Sequence, residues 1–224
     1  MEIINYDTLL EKYAGIAFEK QYSLSEVIGN NDWQIDMETG LISFGDSLSF
    51  PMQILGSYSL ESNTWLWGWA NEASNIPANL LVEANSLKQL GEEYNIEFLT
   101  MPEYKMEPTD VHSLGLIASG KFASSAYYAG NYGSGILLVT LKGESIDTIE
   151  YNEHTRILSV FPELISVFAV NHKRSFENYL SSKGYILKEE DNSLTAEKRG
   201  NIITAEFDDK NRLTKINGEI KNNI

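Results

Sequence analysis

The most constraining feature of this 224-residue chain is a switch to period-two hydrophobicity between residues 48 and 69. Leu48, Phe50, Met52, Ile54, Gly56, Tyr58 and Leu60 share one face of an extended segment, and Ser47, Ser49, Pro51, Gln53, Ser57 and Ser59 mostly occupy the other. Trp65, Trp67 and Trp69 then share one face of a second segment, with Leu66 and Gly68 behind them. A two-residue turn at Glu61-Ser62 sets Tyr58 against Trp65, Gly56 against Trp67 and Ile54 against Trp69. A three-residue turn would align Tyr58 with Leu66 and bury the wrong face, so the shorter register is expected although Glu-Ser is not a preferred turn pair. Gly56 should let the middle indole lie on bare backbone. Exposed indoles could form a platform for a sugar, a base or a flat cofactor, but large aromatics favour burial and core is the expected role.

Around this ribbon the pattern alternates between helix and strand. Tyr6, Leu9, Leu10, Tyr13 and Ala17 predict an amphipathic helix over 5–28, with Thr8 and Glu11 spaced as a capping box and Gly29 as its stop. A short hairpin is expected at 33–37 and 41–44, turned at Glu38-Thr39-Gly40. A second helix should start at Asn75-Ile76-Pro77 and carry Leu80, Ala84, Leu87, Gly91 and Tyr94 on its stripe. Residues 97–100 read as a short strand, 101–108 as a proline-containing connection, and 109–122 as a third helix. Strands at 127–128 and 136–141 flank a glycine-rich connection. One further helix is expected from Pro162 to Ser182, with Leu164, Phe168, His172 and Phe176 on its stripe. Four short strands, 185–188, 194–198, 201–207 and 213–220, should close the chain as an antiparallel meander.

The expected fold class is therefore α+β: helices packed on an antiparallel sheet, followed by a helix and a C-terminal four-stranded antiparallel meander. A boundary near residue 150 would divide it into a helix-plus-sheet unit over 1–150 and a helix-plus-meander unit over 151–224, unless the two form one body.

Composition narrows the chemistry. With 42% apolar and 11% aromatic residues the chain has ample core material. Its 17 basic against 32 acidic residues give a net charge of −15, which would repel a polyanion, so nucleic acid is not an expected partner. There is no cysteine, which removes disulfides, thiolate metal sites and a cysteine nucleophile. The start, Met1 to Asp7, has no basic region followed by an apolar stretch, and no apolar run approaches a bilayer span. A cytoplasmic protein without a membrane partner is the expectation.

Phe44-Gly45-Asp46, the Gln53–Ser59 stretch, Trp65-Leu66-Trp67-Gly68-Trp69-Ala70-Asn71 and Ala126-Tyr127-Tyr128 together carry a resemblance. Over residues 5–145 the chain resembles a bacterial family known only as a domain of unknown function, with a Trp-x-Trp-x-Trp-Ala-Asn strand. The resemblance implies no activity, cofactor or catalytic residue.

No catalytic signature emerges. His112, His154 and His172 lack paired metal-ligand spacing, so neither a metal nor a cofactor is expected. His172 falls on an apolar stripe and suits a hydrogen-bonded border imidazole, whereas His112 should face solvent. Gly130 to Gly135 lacks the following helix and lysine of a phosphate loop and reads as a hairpin connection. Carboxylates are too numerous for any pair to stand out. If a small ligand is bound, the residues to hold it are Trp69, Asn71, Asn131 and Tyr132, at the sheet end and the glycine-rich loop, although Asn71 also suits a backbone cap. Acidic clusters would attract a basic partner and speed its encounter, and Glu189, Glu190 and Asp191 are the candidates for that contact. The leading functional expectation is a non-catalytic interaction protein, of the kind that binds and blocks a cationic toxin. The alternatives are a small-molecule binder or enzyme at the Trp69–Asn71 end, and a structural module.

Overall fold

A computed structural model of the chain describes residues 4–220. Residues 1–3, where the segment read above for a leader begins, lie outside that range. α1 (Tyr6–Ile28) starts at Asn5, whose side chain accepts from the Thr8 N–H at 2.9 Å while the Thr8 hydroxyl oxygen accepts from the Asn5 N–H at 2.9 Å. The capping box thus lies one turn earlier than the Thr8–Glu11 pairing expected, and Glu11 is left free to bind another helix. Gly29, at φ 55°, ends α1 as anticipated.

β1 (Trp33–Asp36) and β2 (Leu41–Phe44) form the first hairpin, and β2 pairs with β3 (Leu48–Ser59). β3 then pairs with β4 (Thr64–Trp67) in the register expected, Gly56 against Trp67 and Tyr58 against Trp65. Pairing stops at Ser59 and Thr64, so the loop spans residues 60–63 and is closed by Asn63 at φ 53°, a conformation Asn tolerates. Two details differ from expectation. The indole lying on Gly56 is that of Trp65: a Cβ there would stand 2.6 Å from that ring and 2.4 Å from the Leu66 carbonyl oxygen. And Gly68–Ala70 coils into a 3-10 turn, so Trp69 leaves the sheet and never pairs with Ile54.

A bulge between Ile54 and Gly56 divides what reads as one hydrophobic face of β3. Phe50, Met52 and Ile54 pack beneath the β1–β2 hairpin, whereas Leu55 and Tyr58 join the main core under the helices. Past the 3-10 turns, α2 (Val82–Tyr94) starts later than the proline suggests. Its first N–H groups, those of Val82 and Glu83, are met by the Gln53 side-chain oxygen from β3, a long-range cap invisible to local pattern.

Residues 97–100 form a helical turn, α3 (Glu97–Thr100), in place of the expected strand. Phe98 and Leu99 are consecutive, and a helical turn lets both face inward where a strand would put one outside. The connection after it contains β5 (Glu103–Lys105), which pairs with β4 and forms one end of the strand order. α4 (Pro108–Lys121), β6 (Ala126–Asn131) and β7 (Gly135–Leu141) follow, β7 lying between β3 and β6 to give a seven-stranded antiparallel sheet.

After the short α5 (Glu144–Asp147), the single helix expected over 162–182 is two: α6 (Glu153–Val167), with Pro162 in its interior, and α7 (His172–Ser182). Asn171 sets the break, its side chain accepting from the Arg174 N–H at 2.9 Å and starting a new helix. Leu164, Phe168, Phe176 and Tyr179 still meet in one core because α6 and α7 both pack on α1. β8 (Ile186–Glu190), β9 (Ser193–Lys198), β10 (Asn201–Phe207) and β11 (Leu213–Glu219) form the antiparallel meander expected of the tail. The fold is α+β, as the hydrophobic periods require. α1 is its axis, with α4 and the large sheet to one side and α6, α7 and the meander to the other. Gly15 makes that approach possible, since a Cβ there would meet the Tyr179 Cβ at 2.4 Å. Residues before and after position 150 meet in the same hydrophobic cluster. No helix among the described residues is long and apolar enough to cross a membrane.

Candidate functional site

The 3-10 turns after β4 and the β6–β7 turn both border a groove of about 400 Å³. The β1 side chains Trp33 and Ile35, with Met37 just past the strand end, form one wall. Ile54, Ser57 and Leu137 make the floor. Trp33 is held in place by two contacts: it lies on Gly130, where a Cβ would come within 2.5 Å of the ring, and meets Tyr128 edge to face.

Of the four residues expected at a ligand site, the groove brings together Asn71 and Tyr132. Asn71 is also a cap, its side-chain oxygen accepting from the Ser74 N–H at 3.2 Å. Asn131 is exposed, and its side chain closes its own turn by accepting from the Gly133 N–H at 2.8 Å. Trp69 lies elsewhere. It stacks on Trp67 at 6.3 Å within the main core, and the Lys88 ammonium lies 4.2 Å from its ring centre. Trp65 and Trp67 are fully buried. The groove's indole is therefore Trp33, which carried no site signal in sequence because it sits in a four-residue strand far from the other tryptophans. In size and lining the groove suits a small molecule. Among the described residues that line it there is no carboxylate, imidazole or amine, and its polar side chains are Ser57, Asn71, Ser74 and Tyr132, which suit an uncharged group.

The acids at 189–191 are not a free negative patch. Lys173 pairs with Glu189 and Lys188 with Glu190, while Asp191 takes the left-handed position of the β8–β9 turn at φ 46°. The histidines are dispersed, and burial lowers the pKa of all three. His112 is exposed on α4, as expected, but its ring is partly covered where Nδ1 stands 3.1 Å from the Tyr127 hydroxyl, and that cover is what lowers its pKa. His172 is a border imidazole whose Nδ1 accepts from the Leu213 N–H at 3.0 Å. The Nε2 of His154 is buried beside Gly218 with no hydrogen-bond partner among the described residues. Among the described residues no group of three or more His, Asp or Glu side chains could hold a metal ion.

Two features escaped the sequence reading. Glu83 is buried between α2 and the sheet, where the Thr140 and Ser124 hydroxyls donate to its carboxylate. Burial raises its pKa, opposed by those hydroxyls and by Lys142. Its position three residues after Leu80 and four before Leu87, both buried, was the available signal: an acid on an apolar stripe. A carboxyl harder to ionise in the folded chain contributes stability that is complete below its ordinary value of 4.5 and is lost as pH rises through the raised value. Glu83→Gln cannot lose that contribution, so its stability relative to the native chain should increase between about pH 4 and pH 7.5. Urea midpoints at the two pH values measure this, and a difference independent of pH would refute it.

The second feature is a cavity of about 240 Å³ lined by Tyr6, Phe98, Tyr104, Met106 and Asp110. It lies at the start of α1 and α4, beside β5. Residues 7–142 match a family model described as a family of unknown function, DUF6882. The chain belongs to that family. The DUF6882 match runs from the first turn of α1 to the residue after β7 and so takes in the groove, Glu83 and nearly all of the aromatic cavity. α6, α7 and the meander lie beyond its end. Comparison with curated proteins and with solved structures gave no match.

Proposed function

We propose that this DUF6882 protein is a non-catalytic interaction protein of the bacterial cytoplasm that docks a basic protein, as an acidic immunity-type protein would dock a cationic toxin. One observation carries the reading. Among the described residues Glu103 on β5 and Glu107 and Asp110 at the start of α4 make no ion pair, whereas Glu11, Glu19, Glu26 and Glu153 are each paired within the fold. Unpaired carboxylates on one face leave the field that steers an oppositely charged partner, while paired ones cancel it at short range. The net charge of −15 supports the same sign of partner, and the uncharged lining of the larger groove supports binding over catalysis.

The test is copurification of the full chain from its native cell at low ionic strength. A stoichiometric basic protein should be recovered, lost when Glu103 and Glu107 are both changed to lysine, and retained when Glu189 and Glu190 are. Recovery of no stoichiometric partner, or of one indifferent to reversal at 103 and 107, would sink the reading.

A further inference from the structure

The cavity behind those carboxylates has a chemistry of its own. Phe98 stands at its centre, with Tyr6 edge-on at 5.4 Å and 80° and Tyr104 edge-on at 5.2 Å and 83°, so two rings stand at right angles to the third. Met106, nearly buried, and the Asp110 side chain complete the lining. The Tyr6 hydroxyl is buried beside Ser113 and Asp110, so its ring and not its oxygen faces a ligand. Among the described residues one edge of β5 has no strand partner, and all three residues of β5 are exposed.

We propose that this cavity takes the side chain of a lysine from the basic partner, delivered by an extended segment that pairs with the free edge of β5. The inference rests on the basic-partner reading above and names the group that partner inserts. Aromatic walls attract a cation through their ring quadrupoles and cover the aliphatic stem of lysine as well. An ammonium carries three donors and no acceptor, so it can give a charge-assisted hydrogen bond to the Asp110 carboxylate while its stem lies against the rings. The N-terminus of α4 opposes a cation here with roughly half a positive charge. Asp110 and Glu107 outweigh it with two carboxylates. One Asp110 oxygen accepts from the Glu107 N–H at 2.9 Å, which fixes the side chain and leaves the other oxygen for the ligand. The free edge of β5 supplies backbone pairing next to the cavity, the arrangement by which a sheet edge captures an extended segment and reads its side chains in pockets.

The experiment uses the full chain and two defined probes, a lysine-bearing pentapeptide and its norleucine counterpart, followed by NMR. The lysine peptide should shift the Met106 methyl and the ring resonances of Tyr6, Phe98 and Tyr104, and the norleucine peptide should leave them in place. Asp110→Asn keeps an oxygen for the helix cap and should weaken binding roughly tenfold, the worth of one charge-assisted hydrogen bond. Phe98→Leu should weaken it as well, and if that variant fails to fold, Asp110→Asn with a native spectrum decides alone. Equal shifts from both peptides, shifts confined to other residues, or an Asp110→Asn chain that binds as tightly as the native one would overturn the proposal. The two readings can fail separately. A cellular partner lost on reversal at 103 and 107 but indifferent to Asp110→Asn would end the lysine site alone, and peptide binding in the cavity with no cellular partner would end the other.

Discussion

Replacing Glu19 with alanine should cost the fold about 3–5 kcal/mol, the loss typical of removing one member of a buried ion pair. Glu19 and Lys183 are 1% and 5% exposed and meet at 2.7 Å. The Tyr151 and Tyr179 hydroxyls also donate to the same carboxylate. Burial and the adjacent Glu19 charge raise the pKa of Tyr179, so its proton stays in place as a donor. Without Glu19 the lysine's remaining carboxylate among the described residues is Glu153, at 3.5 Å, and two phenol protons lose their acceptor. The effect is expected at this size because low solvent exposure removes the screening that makes surface pairs nearly worthless. Its location predicts a second readout. Glu19 belongs to α1 and Lys183 follows α7, so the pair fastens the segment beyond the DUF6882 match to the helix at its axis. In the alanine variant proteolysis should therefore begin between residues 148 and 171, before the large sheet is cut. The double change Glu19→Leu with Lys183→Met should cost less than the sum of the two single changes, since it removes both charges together. Urea midpoints of the four chains measure the coupling, and strict additivity would show that the pair is not a unit.

What could be read before the structure follows physical range. The register of β3 on β4 was legible because one face had to be dry, and a slip of one residue would have wetted every indole. The meander was legible for a similar local reason, with Arg199 and Gly200 both at positive φ in a tight turn between two alternating runs. Signals that act over distance were not. The bulge at Leu55 answers the curvature needed to pair β3 with β7, more than eighty residues later in the chain. β5 has three exposed residues and no hydrophobic alternation, and it exists because β4 offers an edge. The break between α6 and α7 rests on one Asn cap inside an otherwise continuous stripe. The candidate sites divide in the same way. Asn71 and Tyr132 were found because a strand end and a glycine-rich turn are local features, and Trp33 was missed because only its packing on Gly130 and Tyr128 of β6 brings it to the same groove. Tyr6, Phe98, Tyr104 and Asp110 come from four separate elements, and no spacing rule joins them.

Trp67→Ala should destabilise the chain by about 3–5 kcal/mol, the range for deleting a fully buried large aromatic, and should also deform the proposed lysine site. The indole meets Trp65 edge-on at 5.5 Å, stacks with Trp69 and tilts against Phe98 at 5.8 Å, so its removal opens a cavity at the centre of the aromatic cluster. Its Nε1–H also donates to the Phe98 carbonyl at 3.1 Å, which pins α3 to the sheet. The contrast with Trp65 separates packing from that bond. Trp65 is equally buried, yet its indole N–H has no partner among the described residues, so Trp65→Phe removes an unsatisfied donor while Trp67→Phe orphans a carbonyl. Trp67→Phe is therefore expected to cost about 1 kcal/mol more than Trp65→Phe. It should also shift the Phe98 and Met106 resonances in the absence of any peptide, because the ring at the centre of the box would lose its anchor. Denaturant midpoints and methyl spectra of the two variants decide the matter. If Trp65→Phe proves the costlier, or if Trp67→Phe leaves Phe98 and Met106 unmoved, then the box is held by its own edge-to-face contacts and not by the indole strand behind it.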